Sequence, residues 1–118
     1  MGAPAIGTVV LIPFPFSDLS ATKLRPALVL ASASRDDWIC LQITSKPYAD
    51  PNPIELNQAD FIQGSLQRIS YLRPGKIFTA HDTLFQRSAG QISAEKLEQT
   101  RQAVIEIIRT GAADSPAA

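Results

Sequence analysis

The sequence predicts a mainly β (α+β) fold, a small barrel or sandwich closed by one C-terminal α-helix. Three observations predict it. Apolar, β-branched runs recur at close spacing from Gly7 to Thr79. Clusters of Pro, Gly, Asp and Asn punctuate them, leaving no room for the long crossovers of βαβ units. Only the stretch after Ser93 carries apolar residues at helical spacing.

The elements follow in order. Gly7-Thr8-Val9-Val10-Leu11-Ile12-Pro13-Phe14 is the first strand, with Pro13 and Pro15 forcing it to end or lie at an edge. Ser17 to Lys23 is a polar loop. Pro26 to Ala31 is the second strand, and Pro26 keeps Arg25 extended. Ser34-Arg35-Asp36-Asp37 is a turn, and Trp38 to Thr44 is the third strand. Ser45 to Asn52 is a loop, Ile54 to Asn57 a short strand, and Phe61 to Leu66 is ambiguous. Arg68 to Pro74 is a strand stopped by Pro74-Gly75, and Lys76 to Thr79 is the next. The helix has Ser93 as N-cap and Glu95 in its first turn. Leu97, Val104, Ile105 and Ile108 recur along it, Arg109 lies in its last turn and Gly111 just past its end. Residues 111–118 read as a frayed tail, so the expectation is a single domain over 1–118 with its core at about 6–110.

Composition bounds the function only loosely. The chain has 118 residues, of which 45% are apolar, enough for one core. Eleven basic and eleven acidic residues balance to zero. The charges are not evenly spread: Lys23, Arg25, Lys46, Arg68, Arg73 and Lys76 precede the helix, while Glu95, Glu98 and Glu106 lie on it. The β portion is therefore more basic than the total. Cys40 is the sole cysteine and sits in an apolar run, so it reads as a buried structural thiol in a reducing compartment. With one Cys and one His, a zinc site is not expected, nor is any other metal or cofactor. The N-terminus lacks a basic, cleavable leader, and no apolar run reaches the ~20 residues that span a bilayer. A cytoplasmic protein without a membrane partner is expected.

Gly-rich phosphate loops, His-Glu metal motifs and nucleophile elbows are missing. One enzyme class that remains open needs only fixed cations and hydroxyls around a phosphodiester. Arg25 meets that need where a polar loop joins an apolar strand, since a guanidinium holds a phosphate bidentately. A surface arginine at a strand start is the blander reading. Thr44 and Ser45 end the third strand, where sites gather, although such residues are common at any strand end. Arg73-Pro74 repeats the arrangement of Arg25-Pro26. His81 is the only imidazole and the natural general base of a nuclease, or else a solvated loop residue. Phe14, Phe16, Trp38 and Tyr71 are able to stack on bases, with Trp38 assigned to the core. Asp18 has the simpler role of an Asx turn.

These segments together resemble the MazF/PemK family of toxin endoribonucleases. The resemblance rests on Gly7 to Leu19, on Lys23-Leu24-Arg25-Pro26-Ala27-Leu28-Val29-Leu30, on Gln42-Ile43-Thr44-Ser45-Lys46, and on Ser70-Tyr71-Leu72-Arg73-Pro74. It implies an SH3-like small barrel with a C-terminal helix, of the PemK/CcdB-like kind, acting as a homodimer. It implies metal-independent cleavage of single-stranded RNA at short sequences, and a cognate antitoxin peptide, acidic and partly disordered, as partner. The family's catalytic Arg and Thr fall on Arg25 and Thr44. Ser45, Lys23, Lys46, Ser70, Arg73, Asp18 and Phe16 are the implied RNA-binding and supporting residues. Some members also use an Arg and an Asp on the later strand; here that stretch reads Ser70-Tyr71-Leu72-Arg73, without the Asp. Two rival readings are a gyrase poison of the CcdB type, working through the end of its helix, and a non-catalytic SH3-like binding module.

Overall fold

The structure, a computed structural model, describes residues 4–15 and 22–111. Its strands are β1 (Thr8–Pro15), β2 (Thr22–Ser32), β3 (Asp37–Thr44), β4 (Ile54–Leu56), β5 (Phe61–Gly64), β6 (Ser70–His81) and β7 (Arg87–Ile92). Among the described residues one α-helix, α1, spans Ala94–Thr110. All seven strands join one antiparallel sheet in the order β4-β6-β3-β2-β1-β7-β5, which curls into a half-barrel. Register shifts interrupt four of its ladders. Each shift bends the strands locally, which is how an antiparallel sheet acquires curvature.

Alternation along the central strands explains their near-continuous apolar runs, because both faces are covered. Val9, Leu28, Leu41, Ile43, Leu72 and Ile92 pack on one face with Val104 of the helix. Val10, Ile12, Val29, Cys40 and Ala80 pack on the other, around Trp38 and Phe85. Trp38 is thus a core residue, as its sequence context predicts.

The prolines take the positions their missing N–H allows. β7 pairs with β1 only from Thr8 to Leu11, so Pro13 lies where β1 has β2 as its one neighbour. The β2–β3 ladder begins at Ala27, one residue after Pro26. Pro74-Gly75 does not end a strand, contrary to the sequence expectation; β6 runs unbroken from Ser70 to His81. Leu41 pairs with Ile77 and Ile43 with Leu72, so residues 73–76 bulge opposite Gln42. A bulged proline owes the ladder no hydrogen bond, which is why the strand survives it. The expected loop over Ser17 to Lys23 is also shorter at its end, since β2 begins at Thr22 and Lys23 pairs with Phe14.

β7 carries no strand signal beyond its length; it is held between β1 and β5. A Cβ built on Gly90 would stand 2.3 Å from the Gln63 carbonyl oxygen, and one on Gly64 2.2 Å from that of Ala89. The two backbones pass so closely that only glycine fits at either point.

The helix matches its signals. Ser93 Oγ accepts from the Lys96 N–H at 3.1 Å, and Gly111, left-handed at φ 78°, donates its N–H to Ile107 O at 2.8 Å. Thr100 and Val104 are buried under it, while Ile105 and Ile108 stay exposed at 46% and 69%. Helical spacing identified the helix, but only part of its apolar set faces the sheet. Among the described residues no helix is long and apolar enough to cross a membrane.

Candidate active site

β2 and β3 are hydrogen-bonded only as far as Ala27 and Gln42. Carrying that register on by two residues sets Arg25 level with Thr44. Between these strand ends lies a cleft of about 410 Å³. Three cations line it: Lys23 and Arg25 from β2, and Arg68 from the segment before β6. Ser45 and Ser70 add hydroxyls, and Pro26, Ile43 and Leu66 form an apolar wall. No Asp or Glu is among the described residues that line it. Cations beside hydroxyls and an apolar wall are the lining that a phosphodiester would suit.

Thr44 stands at the cleft edge rather than in its lining. Its Oγ1 accepts from the Lys46 N–H at 3.1 Å, leaving the hydroxyl proton to donate. Lys46 is exposed in the following turn and does not reach the cleft. Ser70 is buried, its hydroxyl donating to Arg68 O at 3.4 Å.

Arg73 goes elsewhere. Its Nε donates to Asp50 Oδ2 at 3.3 Å and its Nη2 to Ala49 O at 2.6 Å. Both side chains are largely buried, at 18% and 5% exposure. This ion pair ties the turn Pro47–Ala49, just beyond Thr44, to β6. Asp18 and Phe16 lie outside the described residues.

His81 is at the wrong end of the sheet to serve Arg25. It pairs with Asp37, whereas Thr44 at the far end of β3 pairs with Tyr71. Seven steps at ~3.3 Å per residue put roughly 23 Å between them. There His81 Nδ1 accepts from the Thr83 N–H at 3.2 Å, with Asp82 at 3.5 Å and Asp36 at 4.0 Å from its ring nitrogens. Cys40 is fully buried, and that burial pushes its thiol up to about 12, so it is no nucleophile. Phe14 packs edge-to-face on Phe78 at 5.3 Å. Among the described residues no group of His, Cys, Asp and Glu converges to hold a metal.

Arg68 is the residue that sequence reasoning missed as a site member. Its signals were its place among the basic residues before the helix and at the start of the expected strand Arg68 to Pro74. No proline follows it, and its place in the lining with Lys23 and Arg25 joins residues distant in sequence.

Several solved structures share this architecture. The MazE–MazF complex of Deinococcus radiodurans (Form-II) superposes with a TM-score of 0.72 at 17% identity, covering 90% of this chain and 96% of that one. An endoribonuclease from Mycobacterial species, in complex with its cognate antitoxin, gives 0.64 at 16% identity over 98% and 100%. The Mycobacterium tuberculosis toxin MazF-mt6 gives 0.66 at 14% over 86% and 96%. No curated protein matches in sequence. At such identities the likeness establishes the fold, and family membership comes from the sequence itself. The family profile described as PemK-like, MazF-like toxin of type II toxin–antitoxin system matches residues 5–108. The chain belongs to that toxin family.

Proposed function

We propose that this toxin is an endoribonuclease that cuts single-stranded RNA at short sequences, using the substrate's own 2′-hydroxyl as nucleophile. The cleft carries this reading: three cations and two hydroxyls around a space with no described carboxylate in its lining. The fold neighbours, known as toxins and endoribonucleases, support it.

The 2′-oxygen attacks the adjacent phosphorus, a new O–P bond forms, and the P–O5′ bond breaks. Arg25 binds the non-bridging oxygens, where charge accumulates in the transition state. Thr44 donates a hydrogen bond to the same phosphate. Lys23 and Arg68 draw the flanking phosphates in, and Ser45 and Ser70 support from the wall. Arginine does not serve as a base, since its pKa exceeds ~12. His81 is too distant. The 2′-proton therefore passes to water, and the leaving 5′-oxygen takes one up. The products carry a 2′,3′-cyclic phosphate and a 5′-hydroxyl. Purified protein acting on a defined RNA should give those ends in the presence of EDTA. Cleavage of a strand whose cut site lacks the 2′-hydroxyl overturns the mechanism.

The active form is a homodimer in this reading, because exposed apolar side chains such as Leu24 and Ile62 exceed what one small sheet covers. Sedimentation at micromolar concentration should return twice the chain mass. The inhibitor is an acidic, partly disordered antitoxin segment lying against Arg25 and Arg68. Folding as it binds lets a short peptide cover the cleft. Undiminished cleavage by the saturated complex would sink that assignment.

A further inference from the structure

We propose that the pocket beside the cleft seats a single nucleobase and so selects which base flanks the cut. The inference rests on the ribonuclease reading above. The pocket lies between the 3-10 turn Gln58–Asp60 and the segment 65–69, and holds about 220 Å³. That is below the ~300–1,000 Å³ of sites for drug-sized ligands, and suits one flat heterocycle rather than a dinucleotide.

Leu66 and Arg68 line both the cleft and this pocket. A phosphate held by Arg25 and Arg68 thus has its own nucleotide's base at the mouth of the pocket. The lining is base-reading chemistry. Phe61 offers a ring to stack on, and the carboxamides of Gln58 and Gln67 each offer donors and an acceptor to a base edge. No acid among the described residues lines the pocket.

The lining is also held in place before anything binds. Ser65 Oγ donates to Gln58 Oε1 at 2.7 Å and accepts from the Gln67 N–H at 2.9 Å. The Ser65 N–H donates to Ala89 O at 3.2 Å. Asn57, also in the lining, is committed to that scaffold: its Oδ1 accepts from the Ala59 N–H at 2.9 Å and its Nδ2 donates to Glu55 at 3.1 Å.

Gln67 stands out from this scaffold. It is the one non-glycine residue with positive φ among those described, at 67°. Glycine adopts that backbone without strain, yet the sequence places a long carboxamide there. That carboxamide makes no hydrogen bond among the described residues, and Gln67 is an exposed residue of the pocket's lining. A left-handed backbone that holds an exposed, unengaged carboxamide at the edge of a pocket is the pattern of a recognition residue.

The test compares wild type with Gln67→Gly on a randomised pool of single-stranded RNA, sequencing the ends produced. Glycine relieves the strain, so the variant should melt at the same temperature or higher. Wild type should favour one base at a position next to the cut. Gln67→Gly should lose that preference by about tenfold at that position alone, the size of a lost base-edge contact. An unchanged cut pattern overturns the inference. So does an unchanged pattern with weakened antitoxin binding, which assigns the pocket to the peptide. If wild type cuts no RNA in the pool, the ribonuclease reading itself has failed, and that outcome is distinct from the other two.

Discussion

The two ends of β3 carry opposite chemistry. At the Thr44 end, Lys23, Arg25 and Arg68 surround a cleft with no described acid in its lining. At the Asp37 end, Asp36 and Asp82 flank His81, the only histidine. The formal net charge of zero is the sum over such regions, and it conceals a cleft lined by cations. The contrast also separates two roles that a nuclease with a histidine base would combine. The proposed phosphate site lies at one end of the strand and the imidazole at the other.

The comparison breaks most visibly at Arg25. If the cationic end performs the chemistry, Arg25→Ala should lower the cleavage rate by ~10²–10³, the usual cost of one preorganised donor to an oxyanion-like transition state. The fold should survive, because Arg25 is only half-buried at the end of the β2–β3 ladder. An Arg25→Ala protein that keeps wild-type rate removes the cleft from the mechanism. A CcdB-type action would instead respond to the end of α1, where Ile108 is exposed. Ile108→Asp should leave RNA cleavage unaffected.

A second substitution tests what maintains the cationic end. Arg73→Met leaves the Asp50 carboxylate buried without its partner. Breaking a buried pair from one side costs ~3 kcal/mol, which lowers the melting temperature of a domain this size by roughly 10 °C or more. The double variant with Asp50→Asn should recover part of the loss, since the remaining group is then neutral. Equal melting temperatures for wild type and Arg73→Met would show that the turn after Thr44 does not depend on this pair.

Arg25-Pro26 and Arg73-Pro74 also mark the limit of what the sequence reveals. The same dipeptide occurs twice on apolar strands, and local reasoning gives both arginines the same fate. Arg25 lines the cleft, while Arg73, on another strand, pairs with Asp50, 23 residues away. Local signals were legible where the physics is local. Ser93 and Gly111 bracket the helix through bonds within a few residues, and the β-branched runs mark β1 to β3. The continuity of β6 through Pro74, the strand β7 and the membership of Arg68 all depend on neighbours distant in sequence. The Gly64–Gly90 contact, which explains β7, needs two backbones brought together by the sheet.

A smaller effect sharpens the contrast from the middle of the strand. Cys40 lies between the two ends, fully buried, and its thiol is pushed up from an ordinary 9.0 to about 12 by that burial. Burial favours the neutral thiol in the folded chain, whereas the unfolded chain ionises above ~9. The stabilisation is therefore complete below pH 9 and is lost as pH climbs from about 9 towards about 12. Melting temperature should fall more steeply over that range for wild type than for Cys40→Ala, which lacks the titrating group. Parallel curves would mean that the thiol ionises equally easily in both states.

The smallest effect is expected at His81, and it decides whether the two ends act separately. A histidine base at the cut phosphate would give a rate that falls on the acid side as the imidazole takes up a proton, with removal costing ~10²–10⁴. The distance of roughly 23 Å along β3 rules out direct transfer, since a base must reach its proton within hydrogen-bond range or through one water. His81→Gln keeps a polar side chain at the start of the turn Asp82–Leu84, where Nδ1 accepts from the Thr83 N–H. Its cleavage rate should match wild type within error at every pH from 5 to 9, so that the two pH–rate curves superimpose. The cost to stability should stay within ~0.5 kcal/mol, as for other exposed positions. A variant that lost the acid limb of the wild-type curve would place an imidazole at the phosphate. It would require a second chain to bring its acidic end against the first chain's cleft, and the separation drawn above would then hold within one chain but not within the active dimer.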